Sequence, residues 1–185
     1  MADNQTCITP EFKAGFVALF AAKASKNQDG TMGAAKYSVR AFFPPNTDMS
    51  ELKACATAAA IAKWGEKTPK ILKSPFRTNA ELENPVIGIP EDWILLTFST
   101  NEKNRPGLVN EKNEDVKDEL EIYSGCWLRA EVRAGGYETA GNKGVTFYLQ
   151  NVQKLRNDTP LAGAKAPASK VFAPVAAAKP VDLFS

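Results

Sequence analysis

The chain has 185 residues, 44% of them hydrophobic, which is enough for one well-cored domain plus a tail and excludes a wholly disordered protein. Its 23 Lys and Arg stand against 21 Asp and Glu, so the net charge of +2 excludes a polybasic protein and makes any anion-binding face local. There is no histidine, which removes the commonest general base and the commonest metal ligand.

Residues 1–10, polar and closed by Pro10, read as a flexible lead. They lack an apolar signal region, and no run approaches the ~18 apolar residues of a membrane span, so a soluble, cytoplasmic protein without a membrane partner is expected. Residues 11–24, EFKAGFVALFAAKA, read as a strand with Phe12, Phe16 and Phe20 on one face, and Gly15 would let it bend. A helix competes there, because the same apolar residues also fit a 3.6 period. After a loop at 25–33, residues 35–43 form a second strand. Tyr37, Val39, Ala41 and Phe43 share one face of it, and Lys36, Ser38, Arg40 and Phe42 the other. Pro44 and Pro45 end it.

A helix over 48–64 follows, with Asp48 and Glu51 spaced as a capping box and Gly65 just past its end. Its apolar stripe includes Leu52, Cys55, Ala59 and Trp64. Residues 65–91 are irregular, with four prolines and a basic stretch of Lys67, Lys70, Lys73 and Arg77 that also fits a solvated loop. The nearly continuous apolar run at 92–100 is a central strand. Its long charged exit loop starts with Lys103 and Arg105, and loops of that length are usually functional or disordered.

Residues 123–155 form a β-hairpin with strands at 124–137 and 144–155. Cys126, Leu128, Ala130 and Val132 face the core, and Trp127, Arg129, Glu131 and Arg133 face outward. The connection is glycine-rich, contains Tyr137 and Lys143, and carries the turn dipeptide Gly141-Asn142. On the returning arm Val145, Phe147 and Leu149 point inward, and Tyr148, Gln150 and Lys154 outward if no bulge intervenes. Rings between cations on one sheet face suit a single-stranded nucleic acid, whose bases stack while its phosphates meet the cations. An amphipathic strand at a solvent edge has the same pattern.

From 160 to 185 the composition turns to Ala, Pro and Lys, a disordered tail whose apolar cluster is Val181, Leu183 and Phe184 beside Asp182. No phosphate-binding glycine motif and no nucleophile elbow is present. The carboxylates between Glu111 and Glu121 are spaced as a solvated loop, so no metal, cofactor or catalytic residue is expected. Cys7, Cys55 and Cys126 form no CxxC pair and read as buried, reduced thiols.

Several short motifs carry a resemblance. KYSV (36–39), KWG (63–65), Arg105-Pro106-Gly107, YSGC (123–126), GNKG (141–144) and NVQKL (151–155) occur in an order similar to that of the bacteriophage single-stranded DNA-binding proteins of OB-fold type, over roughly residues 10–162. The resemblance implies an all-β fold, a five-stranded, partly open barrel with one inserted helix, spanning 11–159. It implies sequence-independent binding of single-stranded DNA in phage replication, recombination and repair. The expected DNA-binding residues are Lys36, Arg40, Phe42, Arg77, Lys103, Arg105, Trp127, Arg129, Arg133, Tyr137, Lys143 and Tyr148. Such proteins often recruit replication or recombination partners through an acidic tail ending in an aromatic; this tail sets only Asp182 against Lys165, Lys170 and Lys179, although Phe184 is present. An assembly protein using the sheet face to bind a protein, and an RNA-binding chaperone, are the alternatives.

Overall fold

In the strands, alternate side chains point to opposite faces, so each pairing register decides what is core and what is surface. The computed structural model describes residues 4–161 and 172–175. In chain order its elements are β1 (Thr6–Ile8), β2 (Phe12–Lys23), β3 (Lys36–Phe43), α1 (Ser50–Trp64), β4 (Arg77–Thr78), β5 (Ile94–Asn101), β6 (Gly107–Val109), β7 (Trp127–Thr139) and β8 (Asn142–Arg156). Strands β2, β3, β5, β8 and β7 pair in succession, and β7 returns to β2, so five strands form a ring. The mostly-β, OB-like arrangement with one α-helix among the described residues agrees with the expected class.

Inside the ring four phenylalanines interlock. Phe12 lies 5.5 Å from Phe43 and 5.7 Å from Phe98, and Phe98 lies 6.0 Å from Phe147, ring centre to ring centre. Leu52, Cys55, Ala59 and Ala60 of α1 join the same core, and the small alanines let the helix approach β7 closely. Gly136 of β7 makes that approach possible, since a Cβ there would sit 2.8 Å from Lys63 Cβ.

Long-range pairing decided between strand and helix for residues 11–24, because β2 is bonded to β3 on one side and β7 on the other. The expected lead is partly structured: residues 6–8 pair with β7, and Thr9 exchanges hydrogen bonds with Ala130 at 2.8 and 3.0 Å. Helix α1 starts at Ser50 with Met49 as its cap, so the Asp48–Glu51 box does not form. Asp48 instead accepts the Ser50 N–H at 3.0 Å, one position early. The exit loop of β5 is also ordered. Strand β6 pairs with β8, and Leu108, Val116 and Ile122 are core residues.

The hairpin strands extend through the glycines to a two-residue turn at Ala140-Gly141, both with positive φ (49° and 80°), as a type I′ turn requires. The expected turn at Gly141-Asn142 is therefore one residue late. The returning strand contains the bulge that alternation could not foresee: Glu131 faces Asn151 while Val132 faces Leu149, leaving Gln150 unopposed. Parity flips beyond it. Val152 points inward, and Lys154, expected outside, is 8% exposed with its ammonium 5.7 Å from the centre of the Tyr123 ring.

Phe42 requires a correction as a base-stacking residue. Its outward direction is as expected, but Ile89, Leu95 and Leu161 bury it completely in a second cluster on the outside of the ring. The segment 79–93 that covers it is held by the Asn79 side chain, which bonds the backbone of Val86 and Ile89 at 2.7–3.1 Å. Leu161 also bonds Ser124 through its N–H at 3.0 Å, so ordered packing passes residue 159. The tail expectation for 162–171 and 176–185 lies outside the described residues; Phe172 and Val175 are exposed.

The three cysteines are free, with Cys55 and Cys126 buried and Cys7 half-buried. The thiols of Cys7 and Cys55 meet between β1 and α1. Burial, reinforced by that contact, pushes the Cys7 pKa up to about 12.

Candidate nucleic-acid interface

Loop 79–93 covers only part of the ring's outer surface. On the open part Lys36, Ser38 and Arg40 of β3 stand opposite Asn101, Ser99 and Thr97 of β5. Tyr148 of β8 lies beside Ser99, and Arg133 of β7 stands opposite Tyr148. Tyr148 is 44% exposed and rests over Gly135, where a Cβ would come within 2.6 Å of its ring. The missing side chain lets the tyrosine lie flat on the sheet.

A groove of about 610 Å³ runs over this face, bounded by Phe16, Lys23, Lys36, Ser38, Arg40 and Ser99. It shares Arg40 and Thr97 with a second groove of about 260 Å³ lined by Lys73, Arg77, Tyr137 and Thr146. Together the linings supply five cations, and among the described residues no carboxylate. The chain is nearly neutral, yet its grooves are positive.

Phe16 reaches this face through a bulge. Gly15 pairs with Arg40 and Ala18 with Ser38, so three steps on β2 match two on β3. Phe16 takes up the excess at φ 48° and turns out of the core to 61% exposure. The Arg40 guanidinium lies 4.7 Å from its ring centre. Half-burial lowers the Arg40 pKa, but an arginine so placed remains charged.

Of the expected residues, the grooves therefore unite Lys36, Arg40, Arg77 and Tyr137, with Tyr148 and Arg133 adjacent through the sheet register. Lys103 and Arg105 are exposed in the turn that follows Asn101, the residue opposite Lys36. Lys143 is paired with Glu138 at 3.4 Å. The Trp64 indole N–H and Lys143 together hold the Glu138 carboxyl below its usual range. Arg129 donates to Gln153 at 2.7 Å.

Trp127 sits elsewhere, opposite Lys13 and outside both groove linings. Its indole N–H donates to Asp158 at 2.7 Å, and its ring meets Trp93 at 6.2 Å and the Arg156 guanidinium at 4.5 Å. Asp158 is held at a pKa of about 2, first by that indole and then by the Thr159 N–H and Lys13. Sequence reasoning missed Phe16, Lys23 and Lys73. Gly15 before Phe16 was the available sign of a bulge, whereas Lys73 had only its place in the basic stretch.

A family model for the single-stranded DNA-binding protein of Enterobacter phage Enc34 matches residues 5–183. The solved structure of the single-stranded DNA-binding protein from bacteriophage Enc34 is similar at a TM-score of 0.66 and 18% identity, covering 86% of this chain and 85% of that one. The same protein in complex with single-stranded DNA gives 0.66 and 19%, covering 84% and 89%. Gp2.5, a single-stranded DNA-binding protein encoded by bacteriophage T7, gives 0.59 and 16%, covering 86% and 96%. No curated protein matches at the level of sequence. The chain belongs to the family of the Enterobacter phage Enc34 single-stranded DNA-binding protein.

Proposed function

We propose that the chain binds single-stranded DNA without sequence preference along the two joined grooves, protecting and organising transient single strands during phage replication, recombination and repair in the host cytoplasm. The observation that carries this reading is the lining: five cations, no carboxylate among the described residues, and the rings of Phe16 and Tyr137 in reach of one strand. Bases stack on Phe16 and Tyr148, and phosphates meet Lys36, Arg40, Lys73 and Arg77. Hydroxyls of Ser38, Thr97 and Ser99 between them suit the backbone and carry no base code. Lys103 and Arg105 extend the contact where the strand leaves the face.

Fluorescence anisotropy with oligo-dT, the same sequence as duplex, and matched RNA, each at two salt concentrations, tests this. Binding of oligo-dT well above duplex and RNA, weakening with salt, is expected. Equal binding of the duplex would overturn it. Preference for RNA would show 2′-hydroxyl recognition instead.

A further inference from the structure

A third groove, of about 500 Å³, opens between α1 and residues 68–76. Its walls are Ala56, Ala60, Ile61, Leu72, Phe76 and Val145. Ile61 is 59% exposed, and Ile71, next to Leu72 in the chain, is 88% exposed. The hydroxyls of the lining are already engaged by the chain itself. Thr57 donates to the Lys53 carbonyl at 2.9 Å, Thr68 to the Gly65 carbonyl at 2.6 Å and Ser74 to the Phe76 carbonyl at 3.3 Å. The polar side-chain groups left to meet a ligand are the ammonium groups of Lys53 and Lys73. Neither has a carboxylate partner among the described residues, and no described lining residue is acidic.

We infer that this groove seats an amphipathic helix of a partner protein, its apolar stripe against Ile61, Leu72 and Val145 and its carboxylates at Lys53 and Lys73. Charge decides the sign of the partner, because two lysines with no acid beside them attract a carboxylate and repel a basic peptide. The backbone decides its form. Among the described lining residues Val145 belongs to a strand, and it is already paired with Gly136, so an extended peptide would find no strand edge there. A helix arrives with its backbone bonds made and has only side chains to bury. Single-stranded DNA suits the groove less well. The polar edge of a base would lose water without gaining partners. Phe76, the ring of the lining, is turned to Phe147 at 6.1 Å and packs on the core.

The groove shares Lys73, Ser74, Pro75 and Val145 with the second DNA groove. A carboxylate and a phosphate would compete for Lys73, so partner and DNA weaken each other's binding by the same factor. That coupling rests on the DNA reading above; the docking does not.

The test titrates the full chain, without DNA, against a fluorescein-labelled helical peptide with Leu and Phe on one face and Glu on its flanks. Two control peptides accompany it, one with Lys in place of Glu and one scrambled to remove the apolar face. The acidic helix should bind at least about tenfold more tightly than either control. Ile61→Asp and Lys53→Glu, both at exposed positions, should each weaken it about tenfold, with melting temperature kept and oligo-dT affinity within threefold of the parent. No binding of the acidic helix, equal binding of a control, or binding indifferent to both substitutions would overturn the inference. A tenfold loss of oligo-dT affinity in Ile61→Asp would give the groove to DNA and overturn it too. So would self-association of the parent that Ile61→Asp abolishes, which would seat a second copy there. Added oligo-dT should weaken peptide binding severalfold; a peptide that stays in place beside bound DNA would overturn the coupling through Lys73. Failure of oligo-dT to bind at all would sink the DNA reading and leave the peptide titration as it stands.

Discussion

The Arg40 guanidinium stacks 4.7 Å from the centre of the Phe16 ring, joining a cation of β3 to an aromatic that the β2 bulge pushes out of the core. On the proposed reading the ring meets a base and the cation the backbone phosphate. Phe16→Ala should weaken oligo-dT binding by about 1–3 kcal/mol. Phe16→Gly separates binding from folding, because glycine accepts φ 48° without strain. It should lose the same affinity while the melting temperature holds or rises. A fall in both would show that the ring supports the fold.

Tyr148 depends on Gly135. A methyl group at Gly135 would push against the tyrosine ring, whose far edge can swing away. Gly135→Ala and Tyr148→Ala should therefore weaken binding by similar amounts, each about 1 kcal/mol or more, and together by little more than either alone. Additive losses in this double-mutant cycle would disconnect Gly135 from the stacking role.

Trp127, expected on the stacking face, is half-buried against Trp93, Arg156 and Asp158, and we propose that it supports the structure. Trp127→Ala should cost about 2–3 kcal/mol of stability by loss of packing and of the indole hydrogen bond. Oligo-dT affinity, measured where the variant is folded, should stay within threefold. A tenfold loss of affinity in a stably folded variant would return Trp127 to the interface.

Asp158 gives a pH signature. Its pKa of about 2 in the folded protein lies below the ordinary 3.8, so its contribution is fully present above about pH 4. That contribution is lost as pH falls through 2. The carboxylate is 39% exposed, so solvent screening reduces it to about 1 kcal/mol. Asp158→Asn should lower the melting temperature at pH 7, and the difference from the parent should shrink steadily between pH 4 and 2. A difference independent of pH would assign the loss to packing.

The cations should separate by their partners. Lys36→Ala and Arg77→Ala should each flatten the log–log salt dependence of binding by about 0.7. Lys143→Ala should flatten it less, because Glu138 already engages that ammonium at 3.4 Å. Equal slopes for all three would show that the hairpin tip also grips the strand.

Local pattern determined which segments became elements and which way most side chains point. Period-two alternation placed β3 and β7 with their faces correct, and Gly65 marked the end of α1, because these signals act within a few residues. The outward set Lys36, Ser38 and Arg40 was legible for that reason, and the ordered motifs carried the family. Only the tertiary structure decided what covers an outward side chain. Phe42 and Lys36 share a strand face, yet loop 79–93 buries the first and leaves the second open. It also decided where alternation breaks. The bulge at Phe16 turns an apparent core ring into part of the groove's lining, and the bulge at Gln150 turns Lys154 inward. A bulge is set by what the neighbouring strand can pair with, and that strand is distant in sequence.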